Sequence, residues 1–250
     1  MFNKYLSRVK QLFKHSEKGY QFAKYNYYLS EENLAMQQLL KLFPDQTILP
    51  ITAWSLNPRE VLHICNEMVI GGKRQVIEFG MGFSTICLAQ LIKIKGWDAQ
   101  IYTVDNSQEW VDKLMETVRE LGLESYIKPI VVPITSLKKE LAYKGQSVWY
   151  DVDQLTAKLA GSPRFDIVIV DGPYGGSTPF ARYSAYPFIQ AYLADDYVVF
   201  LDDTDRDQEK EIAKVWKDQM NGKMFRNPFY TVFKSGAQAF DISPFCIVIK

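Results

Sequence analysis

The sequence predicts an α/β protein built on a doubly wound, mostly parallel sheet of seven strands, preceded by an N-terminal helical extension. Two features predict it. From about residue 57 onward, short apolar runs alternate with longer stretches at helical spacing, the pattern of a parallel sheet with right-handed crossovers. The first of these runs, Val76 to Phe79, breaks at Gly80 and Gly82 and leads through Ser84 and Thr85 into the glycine-free apolar stretch Ile86 to Ile92. That reads as buried strand, tight glycine turn, helix. The helix points unpaired N–H groups and the positive end of its dipole at the turn, the layout of a nucleotide site at the carboxyl edge of a sheet.

A plain strand-to-helix turn would use the same two glycines. The dinucleotide fingerprint also asks for a third, where Thr85 stands, so a ligand other than a dinucleotide is favoured. Glu78 is more specific, because an acid inside a buried strand needs a partner, and an amine-bearing ligand would supply one.

Composition narrows the function classes. The chain has 250 residues, 47% of them hydrophobic, which suits one α/β domain with an appendage. Lys+Arg and Asp+Glu are equal at 29, so no overall field recruits nucleic acid, and none is expected as a partner. Cys65, Cys87 and Cys246 lie in apolar surroundings without metal or disulfide spacing. With neither a membrane-spanning run nor a signal peptide in view, a cytoplasmic location is expected.

In chain order, Phe2, Leu6, Val9 and Phe13 fall at helical spacing among Lys4, Arg8, Lys10, Lys14, Lys18 and Lys24. Such a basic amphipathic helix either packs on the domain or a second subunit, as in a homo-oligomer, or makes peripheral contact with a membrane. Ser30 with Glu31 and Glu32 reads as the start of a second helix, with Met36, Leu39, Leu40 and Phe43 on its core side and Pro44 ending it. Asn57-Pro58-Arg59-Glu60 opens the next helix, with an apolar stripe of Leu62, Cys65 and Val69.

After the Val76–Phe79 strand, the second strand is Ile101 to Val104, and Asn106 and Glu109 cap the helix marked by Val111, Leu114, Val118 and Leu121. The third strand is Ile130 to Val132. Residues 135–163 form a helix and an excursion. The fourth strand is Phe165 to Val170 and the fifth Tyr197 to Leu201. Ile212, Val215, Trp216 and Met220 stripe the following helix, and Phe229 to Phe233 with Phe245 to Ile249 suggest a closing hairpin.

Acids recur where strands end. Asp105 ends the second strand, 25 positions after Gly80, near the spacing at which a carboxylate receives ribose hydroxyls. Asp171 ends the fourth strand, and Asp202 and Asp203 end the fifth. In a parallel sheet these ends share one edge, so the acids converge on one crevice. A single terminal Asp is usually a cap or turn former; acids after three strands, with Glu78, form a pattern.

Taken together, Glu78-Phe-Gly-Met-Gly-Phe-Ser-Thr85, Asp105, Phe165-Asp-Ile-Val-Ile-Val-Asp-Gly-Pro173, Arg182-Tyr-Ser-Ala-Tyr-Pro-Phe188, Val199-Phe-Leu-Asp-Asp203 and Asp205-Arg206 with Glu209 resemble the class I S-adenosylmethionine-dependent methyltransferases. The likeness is to the O-methyltransferase branch that includes enzymes acting on sugars. It implies a Rossmann-like methyltransferase domain over 57–250 behind a helical extension over 1–56. It also implies S-adenosylmethionine as cofactor, bound by Glu78, Gly80, Gly82, Phe83, Ser84, Thr85, Asp105, Asn106 and Asp171. Glu78 would support the ammonium, Ser84 and Thr85 the carboxylate, and Asp105 the ribose. Asn106 and Trp110 would border the adenine, Trp110 being equally readable as core.

Asp171, Asp202 and Asp203 match the places where metal-dependent members bind a divalent ion, magnesium or manganese, with Asp171 and Asp203 as catalytic residues. The structural alternative is that Asp203 and Asp205 cap the last helix while Arg206 or Arg182 neutralises the acids. Tyr174 stands where catechol-type enzymes carry a lysine, which disfavours their mechanism. His15 and His63 both precede the cofactor strand, so no histidine base is expected. The expected acceptor is a small-molecule or saccharide hydroxyl; the rivals are a small phenol, a nitrogen acceptor, or a cofactor-binding scaffold without catalysis.

Overall fold

A computed structural model describes residues 2–236 and 241–244; within the first helix, the side chains of residues 2–15, 21 and 24 are not described. Helix α1 runs unbroken from Phe2–Leu40. Ser30 is therefore not a cap: its Oγ donates back to the Asn26 carbonyl, 2.9 Å away, inside the helix. Glu31 and Glu32 serve a tertiary contact instead. Helix α2 spans Pro58–Val69, where the Arg59 guanidinium pairs with Glu31 at 2.8 Å and the Arg59 N–H donates to Glu32 at 2.9 Å. The α2 core face is Val61, Ile64, Cys65 and Met68; of the expected stripe, Cys65 is in the core, Leu62 packs against it partly buried, and Val69 is exposed. The apolar stripe expected from Phe2, Leu6, Val9 and Phe13 lies outside the described side chains. Among the described residues, no helix is long and apolar enough to cross a membrane.

The remaining elements are β1 (Val76–Phe79), α3 (Phe83–Lys95), β2 (Ile101–Asp105), α4 (Gln108–Glu120), β3 (Ile127–Val131), β4 (Ile134–Ser136), β5 (Val148–Tyr150), α5 (Val152–Leu159), β6 (Phe165–Val170), α6 (Ala185–Ile189), β7 (Leu193–Leu201), α7 (Asp207–Gln219), β8 (Lys223–Arg226) and β9 (Thr231–Lys234). Among the described residues, seven strands form one sheet in the order β3-β2-β1-β6-β7-β9-β8. All neighbours from β3 through β7 are parallel, while β9 runs antiparallel to both β7 and β8. The helix expected within 135–163 is α5, and the excursion before it holds β4 and β5, which pair as a separate ribbon.

The seventh strand is β8, which the sequence hides because Lys223-Met-Phe-Arg226 has charged ends and no β-branched residue. Phe229–Phe233 contributes β9, which pairs with β7 and β8, while Phe245–Ile249, its expected partner, lies outside the described residues. Ser107, not Asn106 or Glu109, caps α4 by accepting from the Trp110 N–H.

Alternate strand residues bury into two cores, one on each face of the sheet. Val76, Ile167, Ile169, Val198 and Phe200 join α2 and α3 on one face. Ile77, Phe79, Val168, Val170, Val199 and Leu201 join α5 and α7 on the other. Leu39, Phe43, Leu49 and Leu56 enter the first core, so the end of α1 and the segment after it are packed on the sheet domain. Between β1 and β6 the strand order reverses, which opens a crevice at the carboxyl edge.

Candidate active site

That crevice holds a cavity of about 550 Å³, within the usual range for a small-molecule site. The turn after β1 shapes one end. Gly80 has φ +103, and a Cβ there would come within 3.2 Å of the Gly172 nitrogen, so both conformation and close approach require glycine. Its N–H donates to the Val104 carbonyl at 2.7 Å, tying the turn to the end of β2. Gly82 is different. Its backbone is extended, and a Cβ would meet no protein atom within 4 Å; the space beside it is the cavity.

Asp105 receives the Met81 N–H at 3.1 Å on one oxygen and the Ser107 N–H at 2.8 Å on the other. Two backbone donors fix the carboxylate at the cavity wall, leaving lone pairs for a ligand. Burial raises its pKa, against the lowering by these hydrogen bonds. The Trp110 indole donates to the Met81 carbonyl at 2.7 Å, so this residue both braces the turn and lines the cavity.

Gly80, Gly82, Ser84, Asp105, Asn106 and Asp171 all line this one cavity, as does Trp110; Glu78, Phe83 and Thr85 do not. Phe83 is the first residue of α3 and is buried in the core. Glu78 is sealed behind the turn, where Ser84, Thr85 and Thr103 hydroxyls converge on it. The hydroxyls of Ser84 and Thr85 thus serve Glu78 before any ligand. Thr85 Oγ1 also accepts the Gly82 N–H at 3.0 Å, so the Glu78 network shapes the cradle from behind.

Desolvation pushes Glu78 up to about 7 against the lowering by the three hydroxyls. Its folded-state value lies above the ordinary 4.5, so the folded protein holds the extra proton between those values. Stability from this group is then complete below about pH 4.5 and is lost as pH rises through 7, a difference on the order of 3 kcal/mol. Glu78→Gln, which does not titrate, should flatten the melting temperature between pH 5 and 8; an unchanged slope would remove Glu78 as its source.

The other end is acidic. Asp171 after β6 and Asp202 and Asp203 after β7 bring ligand oxygens within 4.8 Å of one another. Asp203 sits at φ +58, a left-handed conformation that Asp tolerates better than most residues and that marks sites where a side chain must be aimed. Arg182, 3% exposed, stands among them: one terminal nitrogen lies 2.8 Å from Asp171 and 2.7 Å from Asp203, the other 3.8 Å from Asp202. Arg206 reaches Asp203 at 2.8 Å. Arg182 and Arg206 thus do neutralise acids of this cluster. Neither Asp203 nor Asp205 caps α7: its N-cap is Arg206, without a side-chain bond. Burial disfavours the charge on Arg182, but the carboxylates around it outweigh that and raise its pKa. Burial, then the charge of Asp202, raises Asp171 well above the carboxylate range.

Sequence reasoning missed Glu60. It reads as an acid favouring the start of α2, yet it is fully buried beside Asp202, and neither oxygen meets an N–H or O–H donor among the described residues. Burial and then the Asp202 charge raise its pKa well above normal, so Glu60 holds a proton and donates it to Asp202. Trp54, which lines the cavity, escapes as well, because a lone tryptophan in an irregular segment carries no periodic signal. His63, by contrast, is buried against Tyr230 and Glu67, away from the cavity.

A family profile described as "Methyltransferase domain" matches residues 77–204, just over half of the chain. No curated protein matches. Among solved structures, the O-methyltransferase from Bacillus cereus in complex with SAH is 12% identical, with TM-score 0.52 over 82% of this chain and 91% of that one. A methyltransferase from Geobacter sulfurreducens is 14% identical, with TM-score 0.53 over 85% and 96%. SAH-bound Podospora anserina methyltransferase is 12% identical, with TM-score 0.53 over 83% and 88%. At these identities the likeness is one of fold. The profile match covers β1, the turn after it, and the three acids at the ends of β6 and β7, and by it the chain belongs to the methyltransferase-domain family.

Proposed function

We propose that this protein transfers a methyl group from S-adenosylmethionine to a hydroxyl, with a saccharide or glycoconjugate as the preferred acceptor class. The observation that carries this reading is that the Gly80–Gly82 turn, Asp105 and the Asp171–Asp202–Asp203 cluster face one cavity. The cofactor fits the cradle end: Gly82 leaves space that a Cβ would fill, and Asp105 is held ready for ribose hydroxyls. When bound, S-adenosylmethionine supplies an electrophilic methyl group, which the acceptor oxygen takes up as its proton departs. The chain itself orients the two partners and receives that proton. Asp171 Oδ1 accepts from Arg182, which fixes the carboxylate at the cavity wall, where it serves as base for the acceptor hydroxyl.

A magnesium or manganese ion fits the acidic end. The donors are all carboxylate oxygens, which suit hard cations, and one oxygen from each of the three acids lies within 4.8 Å of the others. Asp171, Asp202 and Asp203 would hold the ion, whose chemistry is to lower the pKa of a coordinated hydroxyl. Arg182 then balances the charge that remains.

The test is transfer of labelled methyl from S-adenosylmethionine to a panel of sugars, phenols and amines, with the product's O–CH3 or N–CH3 group assigned by NMR. Methylation of amines alone would replace the hydroxyl reading. Asp105→Ala should cost about 1–3 kcal/mol of cofactor affinity by leaving ribose donors unpaired. Wild-type affinity in that variant, measured by calorimetry, would move the ribose elsewhere.

A further inference from the structure

An aromatic pair at the cavity mouth is left unused by the cofactor and proton-transfer roles. Trp54 is 71% and Tyr174 61% exposed, yet both line the cavity. Their rings meet edge to face, 5.4 Å between centroids and 84° between planes. Single exposed aromatics are ordinary, but two in contact on the rim of a concave polar site form an apolar wall that a ligand can cover.

The wall belongs to the acidic end. Tyr174 follows Asp171 by three positions, and Trp54 touches Tyr174 from the segment between α1 and α2, which also brings Thr52, Ser55 and Asn57 to the cavity. Tyr174 is also held in place. A Cβ at Gly176 would lie 2.6 Å from its Cε1 and 2.9 Å from its hydroxyl oxygen, so the ring rests on the bare glycine.

A ligand at this mouth has the aromatic pair beside it, and carboxylates, arginines, hydroxyls and amides among the other lining residues. It must offer both an apolar C–H face and several hydroxyls. A pyranose does so: its axial C–H bonds present weakly positive hydrogens to the negative face of an aromatic ring, while its equatorial hydroxyls radiate toward hydrogen-bonding groups. A phenol stacks but lacks the hydroxyl array. We propose that Trp54 and Tyr174 are specificity-determining residues that grip the acceptor as a pyranose ring by its C–H face. This rests on the hydroxyl-acceptor reading above and adds the residues that select the acceptor.

The test is saturation-transfer NMR on the full chain, with and without S-adenosylhomocysteine, using methyl glucoside, methyl galactoside, methyl rhamnoside and catechol as probes. Wild-type protein should saturate the axial ring protons of at least one pyranoside. The apparent affinity should fall about tenfold in Trp54→Ala and Tyr174→Ala, stay unchanged in Tyr174→Phe, and drop in Gly176→Ala, which displaces the ring without removing it. Calorimetric affinity for S-adenosylhomocysteine should be the same in every variant. Transfer to no pyranoside, transfer to catechol alone, or pyranoside binding that survives loss of both rings would overturn the proposal. So would a parallel loss of S-adenosylhomocysteine affinity, which would assign the rings to the cofactor. If wild type does not bind S-adenosylhomocysteine, the methyltransfer reading fails, while the titration without it still judges the pyranoside wall.

Discussion

Replacing Arg182 by methionine should destabilise the protein by about 3–5 kcal/mol, because it leaves buried carboxylates without their shared counter-charge. For a domain of this size that lowers the melting temperature by roughly 10 °C. Burial and their neighbours already raise Asp171 and Asp202, and Glu60 beside them. Without the guanidinium their folded-state values climb further, so the folded variant binds more protons than the unfolded chain. Its stability is then greatest at low pH and is lost as pH rises, and the deficit against wild type should be smaller at pH 5 than at pH 8. A melting curve equal to wild type at pH 8 would mean that Arg182 is not the counter-charge of the cluster.

Methyl transfer should stop in excess chelator and return on addition of magnesium or manganese. Asp203→Asn, which keeps a residue able to hold φ +58, should lose about 10²-fold or more of the turnover while binding S-adenosylmethionine as wild type does. The ion should also raise the wild-type melting temperature with its concentration, and this stabilisation should vanish in the variant. Full turnover in metal-stripped protein would remove the ion from the mechanism and leave Asp171 as a direct base.

The site was legible wherever a residue type sat at a position that topology alone places. Asp105, Asp171, Asp202 and Asp203 all end parallel strands, and the alternation of strands and helices puts those ends on one edge. Gly80 was legible because its turn admits no side chain. What escaped depends on packing across the chain. Ser30 and the two acids after it look like a helix start, but Arg59 on α2 claims the acids and the helix runs on. Glu60 looks like a favourable first-turn acid, and only the fold reveals that it faces Asp202. Glu78, an acid in a buried strand, needs a partner, and the partners are three hydroxyls of the chain, two of them from the turn that it supports. Arg182 reads from the sequence as a neutralising charge, but its contact with all three acids depends on the fold of the 171–182 loop.

The most direct test of the account is calorimetric titration of the wild-type protein with S-adenosylmethionine and, separately, NAD, each with and without magnesium. The account predicts one S-adenosylmethionine bound per chain and no heat from NAD. Saturable binding of NAD with none of S-adenosylmethionine would contradict it.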